Sequence, residues 1–217
     1  MEDREIIPEP PAVNEPNQAL GETVGTDDEW SEARALIDGF DGGINIAFEA
    51  LDRHVAAGHG AQTALRWLGK SGDRREVSYA ELADLASRFA NVLEGHGISR
   101  GDSVFALMGR VPELYACALG TLKAGRVFTP LFSAFGPEPI RTRMEIGSAR
   151  VLVTTASIYR RKIAAWRDQI PSLQLVLIDG EEAPEGCVAL GPALREASPD
   201  FETVHTGPED PALIHFT

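Results

Sequence analysis

The sequence predicts an α/β fold, a partly parallel sheet flanked by helices, and three observations predict it. Between Asp102 and Leu131 a short apolar run, a Pro-initiated amphipathic stretch and a second apolar run follow one another. After Leu131 the same alternation recurs twice, ending on the runs VLVT at Val151 to Thr154 and LQLVLI at Leu173 to Ile178. Those runs are predominantly apolar instead of strictly alternating, as strands covered on both faces are. Strands that alternate with helices at this spacing build a parallel sheet, with any ligand outside the carboxyl ends of its strands.

Each element has a local reason. Trp30, Ala33, Leu36, Ile37 and Phe40 form a short amphipathic segment closed by Gly42-Gly43, and a helix is expected from Asn45 to about Ala57 on Ile46, Phe48, Leu51 and Val55. Thr63 to Leu68 and Glu76 to Tyr79 read as strands around the hairpin composition Gly69-Lys70-Ser71-Gly72-Asp73-Arg74. Ser78 and Glu81 form a capping box, so a helix starts there; Leu82, Leu85, Phe89, Val92 and Leu93 supply its apolar stripe, and Gly95 and Gly97 end it. Ser103 to Met108 is a strand and Val111 to Ala124 a helix, with Pro112 in its first turn, Glu113 at its positive end and Gly125 just beyond it. Val127 to Leu131 is the next strand. Pro137 starts a helix to about Ile146, where Gly147 stops it, and Ser157 is expected to cap a helix through Ile163 and Trp166 that Pro171 breaks. A Gly/Pro/Glu-rich connection with a short helix near Pro192 to Ala197 leads to a final expected strand, Ala212 to Phe216.

Composition sets limits. A net charge of −13 repels nucleic acid phosphate and anionic membrane surfaces, so no nucleic acid and no membrane partner is expected. Met1 to Thr26 holds Pro8, Pro10, Pro11 and Pro16 with six acidic residues against one basic, and is expected to be a disordered lead-in. No apolar run reaches membrane-spanning length and no signal peptide pattern opens the chain, so a cytoplasmic location is expected. The two cysteines, Cys117 and Cys187, lack metal-ligand spacing and read as reduced structural thiols.

Chemistry-bearing motifs are sparse. Gly95 to Gly101 is Gly-rich but follows a helix and precedes a strand, the reverse of a dinucleotide fingerprint. There is no Walker loop, nucleophile elbow, HExxH or CxxC, and His54 and His59, five apart, would not share a helix face. No catalytic residue and no metal ligand is assigned. One basic cluster stands against the acidic whole: Arg160, Arg161 and Lys162, with Arg141, Arg143 and Arg150 nearby in sequence. It is either a solvated helix face or a phosphate-binding patch.

The runs Asn45 to His54 (NIAFEALDRH), Val77-Ser78-Tyr79-Ala80-Glu81-Leu82, Gly101-Asp102-Ser103-Val104, Pro112-Glu113-Leu114-Tyr115, Ala124-Gly125-Arg126-Val127 and Pro130-Leu131-Phe132, in this order, resemble the N-terminal part of the AMP-forming acyl-CoA synthetases, acetyl-CoA synthetase-like enzymes above all. The resemblance implies that residues 27–217 are the N-terminal part of the large domain of an adenylate-forming enzyme. It implies ligation of acetate or another short carboxylate to coenzyme A with ATP and Mg²⁺, leaving AMP and pyrophosphate. In that family the strand matched by Asp210 to Phe216 enters a Ser/Thr/Gly-rich phosphate loop, whose first residue would be Thr217. Arg160 matches an arginine near the 3′-phosphate of coenzyme A; where the family has a second arginine three residues on, this chain has Ile163. Ser133 to Gly136 replaces a more Gly-rich turn. The remaining catalytic groups would lie downstream, so the expectation is a fragment inactive alone, with an exposed sheet edge and a tendency to aggregate. Ligases of longer acyl or aryl acids, and a non-catalytic module that binds coenzyme A or a protein, are the alternatives. The oligomeric state is not read from the sequence.

Overall fold

The computed structural model describes residues 36, 37, 39 and 43–216. The expected lead-in, most of the segment expected between Trp30 and Phe40, and Thr217 lie outside the described residues.

Five parallel strands form the central sheet: β3 (Ser103–Leu107), β4 (Val127–Pro130), β5 (Ala149–Thr155), β6 (Leu175–Asp179) and β7 (Val188–Ala189). Their spatial order is β4-β3-β5-β6-β7. After β4 the chain therefore crosses to the far side of β3, and the order reverses between β3 and β5. That is the doubly wound arrangement whose ligands sit at the carboxyl edge near the reversal. The antiparallel hairpin β1 (Thr63–Leu68) and β2 (Arg74–Ser78) is a separate two-stranded sheet. There Arg74, then Arg66, then Thr63 bond the exposed Glu76 and hold its carboxyl down at about 2.

Alternate side chains of the buried strands feed two cores. On one face Val104, Val153 and Leu177 meet Phe89 and Leu93 of α1 (Tyr79–Gly95), Cys117 of α2 (Pro112–Lys123) and Leu190 of α5 (Leu190–Glu196). On the other, Phe105, Leu107, Leu152 and Ile178 meet Ile140 and Met144 of α3 (Pro137–Ile146) and Tyr159 of α4 (Ala156–Lys162). A sheet buried on both faces explains why its strands read as unbroken apolar runs.

The capping box at α1 is present: the Glu81 amide donates to Ser78 Oγ at 3.2 Å and the Ser78 amide to Glu81 Oε2 at 2.7 Å. Pro112 and Pro137 stand in the first turns of α2 and α3. Residues 46–59 are helical, as expected, but include two π-type segments, Phe48–Asp52 and Val55–His59, with Gly58 at φ 84°. The buried Asn45 ties this stretch down: its amide nitrogen donates to the Leu122 and Val204 carbonyls at 2.9 and 3.0 Å, and its oxygen accepts from the Ala47 amide at 2.9 Å.

Two expectations are corrected. Thr155, not Ser157, caps α4, accepting from the Ile158 amide at 3.3 Å. The helix stops at Lys162, and Arg167–Gln169 forms a separate 3-10 turn. Both hydroxyls suit a cap, but β5 extends to Thr155 in register with Asp179, so the backbone is still extended there and the helix opens one residue later. The final strand expected at Ala212 to Phe216 is a single parallel bridge, Phe128↔Leu213, with the Phe128 amide donating to the Ala212 carbonyl at 2.9 Å and the Ile214 amide to the Phe128 carbonyl at 3.1 Å. The segment lies beside edge strand β4, itself four residues long, and one bridge does not make a strand. The strand β7 was not anticipated.

Candidate functional site

Three segments meet at the carboxyl edge of the sheet. Residues 131–136 turn from β4 into α3, closed by the Phe135 amide donating to the Phe132 carbonyl at 3.0 Å. Helix α4 begins directly after β5, and its last turn lies against that turn because Lys162 Nζ donates to the Ser133 and Phe135 carbonyls, both at 2.6 Å. The segment 212–216, parallel to β4, runs toward the same edge and sets Phe216 against the second core. Phe132, 65% exposed, packs edge-on to Phe135 with centroids 5.5 Å apart.

The expected basic cluster does not form one patch. Arg160 is exposed and has no hydrogen-bond or ion-pair partner among the described residues. Arg161 bonds the Ser157 carbonyl of its own helix at 3.2 Å, and Lys162 is committed to the turn. Arg141 pairs with Glu138 at 2.9 Å, and Arg150 lies 3.4 Å from Asp102 at the opposite, amino edge of the sheet. Arg143 stacks on Phe135, 4.4 Å from the ring centroid. Of these six cations, Arg160 is the one that forms no hydrogen bond or ion pair among the described residues.

The other candidate groups are accounted for. His54 stacks on Tyr79 at 4.8 Å, and His59 Nδ1 lies 3.0 Å from Gln62 Nε2. Among the described residues no group of His, Cys, Asp and Glu could hold a metal ion, and no helix is long and apolar enough to cross a membrane.

Farther along the same edge, a cleft of about 250 Å³ opens at the end of β6, lined by Leu85, Glu113, Asp179, Leu190 and Leu194 among others. Sequence reading missed it, although an aspartate closing an apolar run at a strand's carboxyl end marks that edge. Arg75 closes one side through Glu113 at 2.6 Å, and Arg195 the other through Glu181. Burial, and then the Glu113 carboxylate, push the Asp179 carboxyl above its usual range. Burial first, then Asp179 and Glu113, push the Cys117 thiol well up, so it is not a nucleophile. Because the fold holds the Asp179 proton more tightly than the unfolded chain does, the stability this gives is full below the ordinary carboxylate range and is lost as pH rises through the raised value. Asp179→Asn is therefore expected to raise the thermal midpoint at about pH 7, by no more than about 2–4 °C, and to leave it nearly unchanged at about pH 3. A lowered midpoint at neutral pH would show that the carboxylate is instead stabilising.

A sequence profile of the family described as "AMP-binding enzyme" matches residues 52–217. The chain is 32% identical over 193 residues to the acetyl-coenzyme A synthetase of Bacillus subtilis, covering 87% of this chain and 33% of that protein. It is 31% identical to the acetyl-coenzyme A synthetase of Halorhodospira halophila, covering 89% of this chain and 32% of the relative. The crystal structure of a Brucella canis acyl-CoA synthetase superposes with a TM-score of 0.78 at 33% identity, over 87% of this chain and 34% of that one. An anthranilate CoA ligase bound to anthranoyl-AMP shares the fold with a TM-score of 0.71 at 22% identity, over 79% and 32% of the two chains. The chain thus spans about a third of the length of these two relatives.

Proposed function

Because the chain belongs to the AMP-binding enzyme family, we propose that it is the amino-terminal portion of an AMP-forming acyl-CoA ligase acting on acetate or another short carboxylate. In that reaction a carboxylate oxygen attacks the α-phosphorus of ATP and pyrophosphate leaves. The thiol of coenzyme A then attacks the acyl carbon and AMP leaves. Both steps need clamped phosphates and neutralised charge, with Mg²⁺ supplying part of the latter. The observation that carries the reading is the single edge at which the 131–136 turn, α4 with its unpaired Arg160, and the segment leading to Thr217 meet.

In this reading Arg160 faces the 3′-phosphate of coenzyme A, and Thr217 opens the loop that holds the ATP phosphates. In this reading none of the described residues is catalytic. Alone it neither activates a carboxylate nor binds a metal, and it works in the cytoplasm as part of a longer polypeptide. The names of the bacterial relatives support acetate.

Acetate-dependent exchange of pyrophosphate into ATP by the purified 217-residue chain is expected to be absent, and its presence would overturn the placement of the phosphate-holding groups downstream. The codons after Thr217 are expected to encode small residues, glycines and a lysine. A stop codon there, together with tight calorimetric binding of coenzyme A but not ATP, would favour a non-catalytic module. In a chain extended through those codons, Arg160→Ala is expected to raise KM for coenzyme A about 10- to 100-fold, the loss of a charge-assisted phosphate contact, with KM for ATP unchanged.

A further inference from the structure

The turn after β4 and the segment that ends at Phe216 share one side chain. Arg143, on α3, lies 4.4 Å from the Phe135 ring centroid and 5.7 Å from that of Phe216. Its Nη1 donates to the Pro139 carbonyl of its own helix at 3.0 Å, and its Nε is buried with no hydrogen-bond partner. A guanidinium placed for a carboxylate or phosphate would use its in-plane donors. Here the contacts to other segments are made with ring faces, so the group serves as a stacking piece between two aromatic rings.

Each ring belongs to a segment that is otherwise lightly held. Phe135 sits in a turn fastened by Lys162 and by its own bond to the Phe132 carbonyl. Phe216 ends a segment with one bridge to β4, and its ring centroid lies 6.4 Å from that of Phe105. The base between them is firm, since Ile140 and Met144 of α3 are fully buried in the core. A helix anchored in the core that carries one cation between two rings from different segments makes the position of each ring depend on the other.

We propose that Arg143 is a positioning residue that couples the turn after β4 to the segment entering Thr217, so that ordering either one favours the other. The coupling is reciprocal. On the ligase reading, on which this meaning rests, the turn borders the coenzyme A side of the edge and the Phe216 end the ATP side. Anything that orders the Phe216 end then prepares the turn for the second substrate.

Amide hydrogen exchange on the 217-residue chain tests this, reading the Phe135 amide, bonded to the Phe132 carbonyl, and the Ile214 amide, bonded to the Phe128 carbonyl at 3.1 Å. Arg143→Gln is expected to speed both by about 5- to 30-fold, the range that loss of one such contact sets. Arg143→Lys, which keeps a cation near the rings but has no plane to stack between them, is expected to restore only part of the protection. Phe135→Leu is expected to speed the Ile214 amide when Arg143 is present and to add nothing in the Arg143→Gln background. Additive effects, or an Ile214 amide indifferent to Phe135→Leu, would overturn the proposal. So would acceleration in Arg143→Gln that spreads equally to the amides of β3, since that marks general loosening. The exchange readout holds whether or not the chain binds ATP or coenzyme A, whereas calorimetry and pyrophosphate exchange test the ligase reading without touching Arg143.

Discussion

Lys123→Ala is expected to cost about 3 kcal/mol of stability and to lower the thermal midpoint by about 6–12 °C. The Lys123 side chain, 5% exposed at the end of α2, places Nζ 2.7 and 2.8 Å from the two oxygens of Asp52. Asp52 also accepts from Thr203 Oγ1 at 2.8 Å. The pair thus pins the helical stretch 46–59, the end of α2 and the segment that returns toward β4. Removing the lysine strands a carboxylate that is only one-fifth exposed, and an unpaired buried charge is what makes breaking such a pair costly. Because Asp52 keeps some water, the expected loss lies at the low end of the roughly 3–5 kcal/mol seen for wholly buried pairs. Adding Asp52→Asn to Lys123→Ala is expected to recover part of it. Urea unfolding of the single and double variants measures both, and a loss below about 1 kcal/mol for Lys123→Ala would show that water reaches the pair in solution.

Gly120→Val is expected to cost about 3 kcal/mol, and Gly120→Ala about 1 kcal/mol, although helix propensity alone predicts that alanine gains about 1 kcal/mol. Gly120 lies in the buried face of α2, and a Cβ built on it falls 2.5 Å from the Ala86 carbonyl oxygen of α1 and 2.9 Å from Phe89 Cβ. The nearest atom is backbone and cannot swing aside, so the two helices must part along their contact. Overpacking of this kind costs roughly 1–3 kcal/mol and outweighs the propensity gain. Gly95, the last residue of α1, has nothing within 4 Å of its built Cβ. Gly95→Ala should therefore show the propensity gain without the clash. If Gly120→Ala and Gly95→Ala shift the urea midpoint in the same upward direction, the close approach of α1 and α2 is wrong.

The contrast between these glycines shows where sequence reading reaches its end. Both look like interior or terminal helix glycines in sequence, and only the crossing of α1 and α2 separates them. The capping box at Ser78 and Glu81, Pro112 and Pro137 at helix starts, and the apolar runs of β3, β5 and β6 were legible because each encodes hydrogen bonding or burial over a few residues. The cap of α4 was misplaced by two residues because Thr155 and Ser157 offer the same chemistry, and pairing of β5 with β6 decides between them.

The candidate site was legible in part. Arg160 was singled out in sequence, and in the structure it is exposed with no hydrogen-bond or ion-pair partner among the described residues; the turn from Ser133 to Gly136 was noted only as a departure from a more Gly-rich pattern. Arg141, Arg143, Arg150 and Lys162, grouped with it by sequence proximity, go to four different partners: a helix neighbour, an aromatic ring, an aspartate on the opposite edge and two turn carbonyls.

By itself the sequence determined the α/β class, the succession and approximate limits of the elements, and the resemblance that the family match then bore out. Those are local properties, written in periodicity and capping within a turn or two of chain. Only the tertiary structure decided that β5 lies beyond β3, that Lys162 closes a turn 29 residues before it, and that Arg143 stands between Phe135 and Phe216. Strand order and long-range partners depend on how separate faces are covered at once, and no window of sequence contains that choice.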